Sequence, residues 1–199
     1  MSELVIEQVT SAKIQNILQA SIDVKAAIVK DEQIIETVST IAELIVEAFQ
    51  SGNKVMFCGN GGSAADAQHL AAEFSGRFYK DRDPLPAEAL HVNTSYMTAV
   101  ANDYSYNEVY SRIVKGSGKA GDVLIGLSTS GNSANIIAAF EQARKMGIKT
   151  VGFTGDGGGK MKAFSDFLVA VPSSDTPRIQ ESHITLGHIV CQLVEESLF

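Results

Sequence analysis

Cysteine is scarce: the 199 residues contain two, Cys58 and Cys191, and no CxxC pair. That excludes a disulfide framework, and each cysteine is read as a small buried hydrophobe. Lysine and arginine nowhere cluster, and the formal net charge is −7, which argues against a surface for nucleic acid or an anionic membrane. An anionic ligand must therefore be held by other means. No apolar run is long enough to cross a bilayer, and the first residues, MSELVIEQ, lack a basic-then-apolar signal pattern; the expectation is a cytoplasmic protein. Internal repeats, low-complexity segments and linkers are missing too. With 45% hydrophobic residues the chain has ample material for a core, and a single globular domain over residues 1–199 is expected.

What is present is periodic. Ile34, Val38, Ile41, Ile45 and Phe49 recur at helical spacing, and residues 14–29 repeat the pattern more weakly, so two amphipathic helices open the chain within residues 1–52. Five short apolar runs follow (KVMFC, EALHV, DVLIGLS, KTVGFTG and DFLVAV), separated by longer helical stretches. This alternation predicts an α/β three-layer sandwich, a five-stranded parallel sheet covered on both faces. A last long helix is expected from about Pro177 to the carboxyl end, and the charged, proline-containing stretch from Tyr79 to Pro86 reads as a surface loop.

In such sheets ligands sit beyond the carboxyl ends of the strands, and three strand-to-helix turns are unusual. STSGNS, Ser128 to Ser133, places four hydroxyls, an asparagine and a glycine before a helix. Free backbone N–H groups, the helix dipole and the hydroxyls of Ser128, Thr129, Ser130 and Ser133 make a phosphate cradle without a cation. A helix cap needs only one such residue. GNGGS, Gly59 to Ser63, admits a ligand close to the backbone and adds Asn60 and Ser63 as polar contacts. It fits a dinucleotide fingerprint weakly, because the second strand ends His91-Val92-Asn93 with no acidic residue, and a Walker lysine is missing. TGDGGG, Thr154 to Gly159, reads as a strained glycine turn.

His69 and Glu73 lie four apart on the helix after GNGGS and share a face. Imidazole nitrogen and carboxylate oxygen suit zinc, although the arrangement is not HExxH. The last helix adds Gln180, Glu181, His183 and His188 beside an apolar stripe, while His91 is read as structural.

Taken together, GNGGSAADAQH, the AND segment, STSGNSAN and TPRIQESHI…GH resemble the SIS (sugar isomerase) domain proteins, specifically the phosphoheptose isomerases. The resemblance spans nearly the whole chain and implies a homotetrameric enzyme converting sedoheptulose 7-phosphate into D-glycero-D-manno-heptose 7-phosphate, the first step towards ADP-heptose for bacterial surface polysaccharide. It implies that Ser128, Thr129, Ser130 and Ser133 grip the phosphate, and that Asn60, Gly61, Gly62, Asn102 and Asp103 meet the sugar. One zinc ion per subunit is implied at His69, Glu73, Gln180 and His188, with Glu73 and Gln180 also touching substrate. Aldose–ketose isomerisation needs a base and an acid; Glu73 and His188 are expected in those roles. A straight helix separates Gln180 and His188 by about 12 Å. Either Gln180 precedes the regular helix or the site takes ligands from two subunits, and the second is expected. Two alternatives are a non-catalytic, replication-initiator-associating relative, disfavoured by the presence of Glu73 and His188, and an isomerase of another sugar phosphate.

Overall fold

The structure, a computed structural model, describes residues 10–199; MSELVIEQ lies outside the described residues. Two helices lead, α1 (Ser11–Lys30) and α2 (Glu32–Gln50). Asp31 separates them by serving both: its N–H donates to Ile28 O, while its side chain accepts from Ile34 N, satisfying orphan groups at both helix ends. The helices differ in what they bury. On α2 the predicted stripe buries Ile34, Val38, Ile41 and Ile45, with Phe49 partly buried against the same core, whereas α1 buries only Ile28. Ile14, Ile17, Leu18 and Ile22 of α1 stay half exposed.

Five strands follow in the places expected: β1 (Val55–Gly59), β2 (Ala87–Ala89), β3 (Val123–Ser128), β4 (Lys149–Thr154) and β5 (Phe167–Ala170). All pair in parallel, in the order β2-β1-β3-β4-β5. Between and after them run α3 (Gly62–Ser75), α4 (Thr94–Asp103), α5 (Val109–Ser117), α6 (Ala134–Lys145) and α7 (Thr176–Leu198), with two short 3-10 turns. The EALHV run forms a shorter strand than its pattern indicates: only three residues pair, and His91 and Val92 already turn away.

Strand side chains alternate between two cores, as the period of two requires. Phe57, Ile125 and Phe153 pack under α2, α3 and α7. Met56 and Leu124 pack with Tyr110, Ile136 and Phe140 of α5 and α6. Both faces are covered, which is why the strands read as near-continuous apolar runs. Among the described residues no helix is long and apolar enough to cross a membrane.

The Tyr79–Pro86 stretch has no regular structure, but it is not only surface. The Arg82 and Glu195 side chains are each 2% exposed and pair at 3.0 Å. Glu195, on α7, also accepts from the N–H groups of Phe78, Tyr79 and Lys80. Arg82 donates to the carbonyls of Glu73, Phe74, Gly76 and Asp83. Burial alone pushes the Glu195 carboxyl up, but the three N–H donors and the guanidinium outweigh it and hold its pKa below the ordinary value. The loop is thus clamped to the end of α3.

Candidate active site

Helix α3 leaves β1 on one face of the sheet and α6 leaves β3 on the other. The two strands are neighbours, with Gly59 level with Leu127, and Ser128 of β3 is level with Thr154 of β4. The crevice opens where the connections diverge, and all three glycine- or hydroxyl-rich turns end there.

In the GNGGS turn, Asn60 and Asn135 exchange amide hydrogen bonds at 2.9 and 2.8 Å, and Tyr106 donates to Asn60 Oδ1 at 3.1 Å. Both lone pairs of that oxygen are therefore used, and the side chain keeps one Nδ2 hydrogen for a ligand. Asn135, 2% exposed in the first turn of α6, was not singled out from the sequence. The only trace it leaves there is a polar residue inside an apolar helix. Gly62 lies against Gln180, whose Nε2 would stand 2.7 Å from an added Cβ.

In STSGNS the hydroxyls of Ser128 and Ser133 meet at 2.9 Å, and those of Ser128 and Ser130 at 3.5 Å. Ser133 stands at the N-cap of α6 but its side chain makes no capping bond. Asn132 is engaged with Ser130 O and Lys160 N, so the loop is not a simple cap. Thr129 and Ser130 line a cleft of about 310 Å³ with Asp156, Ser173, Ser174 and Thr176.

His69 and Glu73 of α3 and His188 of α7 converge. His69 Nε2 lies 2.9 Å from His188 Nε2 and 3.1 Å from Glu73 Oε1. Taking one donor atom from each residue, all three atoms lie within 4.8 Å of one another. Tetrahedral zinc with bonds of about 2.0 Å has ligand edges of roughly 3.3 Å, so this donor set fits such an ion. The two helices run side by side in the same direction, as the contacts Asp66–Gln180, Leu70–Gly187 and His69–His188 show. Gly187 makes the approach possible, since a Cβ there would sit 2.6 Å from Leu70 Cδ1. Burial, then the neighbouring His69, lowers the His188 pKa, while Glu73 and Asp66 oppose the shift. The Phe78 ring lies 5.8 Å from that of His188.

Gln180 stands inside α7, so it does not precede the helix. Its carboxamide donates to Asp66 Oδ1 at 3.3 Å, one turn from the three-residue cluster. His69, Glu73 and His188 assemble within one chain, and Gln180 of the same chain stands apart from them against Asp66. Asp66 was missed. It shares the His69–Glu73 face of α3 and is buried, with Oδ2 unpartnered. Burial raises its pKa against the opposing effects of Gln180, His69 and His188. Asn102 and Asp103 end α4, exposed and bonded to each other at 3.0 Å; Tyr106, just beyond, is what reaches the glycine turn. His183, in contrast, is buried against Thr154 O and belongs to the core.

A family model described as the SIS domain matches residues 20–155. The chain belongs to the SIS domain family. A phosphoheptose isomerase of Clostridium acetobutylicum is 55% identical over 182 residues, 92% of this chain and 93% of the relative. The solved phosphoheptose isomerase of Neisseria gonorrhoeae is 41% identical with a TM-score of 0.87, covering 93% of this chain and 98% of its own. That of Francisella tularensis is 31% identical with a TM-score of 0.90, covering 95% and 100%. Within the SIS family the chain stands with the phosphoheptose isomerases. The family-model match ends before α7; at 92–95% of this chain, these likenesses reach into it.

Proposed function

We propose that the protein converts sedoheptulose 7-phosphate into D-glycero-D-manno-heptose 7-phosphate, an early step in making ADP-heptose for surface polysaccharide. The observation that carries this reading is the convergence of Glu73 with two histidines on a scaffold shared with phosphoheptose isomerases. The phosphate rests on Ser128, Thr129, Ser130 and Ser133, and the sugar extends past Asn60, Gly61 and Gly62, and Asn102 and Asp103, towards α3.

For a 2-ketose, a proton leaves C1 and returns to C2, while O2 gains the proton that O1 loses. Glu73 acts as the carbon base and His188 moves the proton between the oxygens. Their polar atoms are close enough to serve adjacent atoms of one substrate. Glu73 has two carboxylate oxygens, which eases the tension between metal ligand and base. His69, Glu73, Gln180 and His188 would hold one zinc ion per subunit. Bound zinc supplies a Lewis acid for the sugar's carbonyl and hydroxyl oxygens.

The protein is proposed to be a cytoplasmic homotetramer of single-domain subunits, residues 1–52 forming a helical extension. Active sites lie at subunit interfaces, and the half-exposed apolar stripe of α1 supports burial between copies.

The test follows sedoheptulose 7-phosphate by NMR with wild type, Glu73→Gln and a chelated sample. Aldose formation should fall by roughly 10²–10⁴-fold in the variant and return to the chelated sample on adding zinc. Full turnover by folded Glu73→Gln removes it as base. No turnover of this sugar by zinc-loaded wild type, with another sugar phosphate consumed, moves the substrate assignment.

A further inference from the structure

The proposed reaction gives no residue of the TGDGGG turn a role, yet the backbone of that turn is unusual. Gly157, Gly158 and Gly159 take φ values of 74, 78 and 53° in succession, a region that residues with a Cβ avoid. What the turn touches is the hydroxyl loop. Gly155 N–H donates to Thr129 O at 2.9 Å, Met161 N–H to Gly131 O at 2.9 Å, and Lys160 N–H to Asn132 Oδ1 at 3.1 Å.

In a trans peptide the C=O and the following N–H point in opposite directions. Drawing the carbonyls of Thr129 and Gly131 towards the turn therefore sends the N–H groups of Ser130 and Asn132 away from it. The Asn132 N–H so directed meets Ser130 Oγ at 3.2 Å. The two backbones also leave no room for a side chain between them. A Cβ on Gly131 would stand 2.3 Å from Gly158 O, and one on Gly159 would stand 2.6 Å from Ser130 O.

We propose that the glycine turn is a backbone template holding residues 128–133 in their anion-binding conformation, which makes Gly131 and Gly159 positioning residues for the substrate's phosphate. This rests on the reading that the hydroxyl loop holds that phosphate. Gly157 supplies the control: its φ is equally left-handed, but no atom lies within 4 Å of an added Cβ. Gly157→Ala and Gly159→Ala thus share the conformational strain, and only the second intrudes on the loop.

The experiment titrates the zinc-loaded, full-length protein with inorganic phosphate by calorimetry and measures KM for the sugar phosphate and zinc affinity in parallel. Gly159→Ala should weaken phosphate binding and raise KM by roughly tenfold, the worth of one hydrogen bond to a charged group, with zinc affinity unchanged. Gly157→Ala should bind phosphate as wild type does. Unchanged phosphate binding in Gly159→Ala, or equal weakening in both variants, overturns the proposal. Should Gly159→Ala fail to fold, Asn132→Ala removes the Lys160 contact without inserting an atom; weaker phosphate binding supports the template and unchanged binding overturns it. A wild type indifferent to phosphate, together with Ser130→Ala kinetics equal to wild type, instead overturns the underlying phosphate assignment.

Discussion

At Asn60 the carbonyl oxygen accepts from both Asn135 and Tyr106, so a residue expected to face the sugar spends most of its polarity on holding the turn together. Asn135→Leu should expose this, because it leaves a part-buried amide without its reciprocal partner. A cost of about 1–3 kcal/mol is expected in chemical denaturation, together with a raised sugar KM. Unchanged stability and KM would make the pair incidental. The histidines divide by the same argument. His69 and His188 meet with matched nitrogens and a carboxylate beside them, whereas His183 spends one nitrogen on Thr154 O and leaves Nδ1 buried and unpartnered. Spacing on α7 cannot separate those two fates.

Helix α7 carries His188 of the three-residue cluster, core-facing residues and the loop-clamping Glu195 on one rod, so its placement against α3 governs the candidate site. Gly187→Ala should press on Leu70, move His188 relative to His69, and weaken zinc binding by roughly 10–100-fold, the usual effect of disturbing a ligand's support. Calorimetry with zinc checks this; wild-type affinity would show that Leu70 absorbs the extra methyl. The same helix gives a pH dependence. Burial pushes the His183 pKa down from 6.5 to about 4, so between those values the unfolded chain binds more protons than the folded one. Stability is therefore highest above pH 6.5 on this account and is lost as the pH falls towards 4, by on the order of 3 kcal/mol. Denaturation midpoints from pH 7 to 4 in wild type and His183→Gln test it, and an equal slope in both would acquit His183.

For the whole molecule, α1 keeps Ile14, Ile17, Leu18 and Ile22 half exposed among the described residues. Leu18 is 59% and Ile22 56% exposed, in contrast to the buried stripe of α2. If α1 closes an interface between copies, Leu18→Glu should shift sedimentation from tetramer to smaller species and lower activity, with little change in the far-UV spectrum. An unaltered tetramer would move the interface elsewhere.

Local pattern sufficed for the element order, the five parallel strands, the long last helix and the glycine- and hydroxyl-rich turns after the strands. Periods of 2 and 3.6 residues, glycine turns and hydroxyl clusters are all properties of neighbours in sequence. It also put His69 and Glu73 on one face of a helix, with residue types that suit a metal; only the resemblance to the phosphoheptose isomerases set His188 apart from His183. Only the tertiary structure decided which distant groups meet. Asn60 with Asn135, Gln180 with Asp66 and Arg82 with Glu195 are 75, 114 and 113 residues apart, and no periodicity encodes such pairings. The buried Arg82 inside a charged loop, the three-residue cluster complete in one chain, and the glycine turn locked behind the hydroxyl loop all follow from packing. A sequence states each residue's capacity to bond; the fold determines which of those capacities are already used and which remain for a ligand.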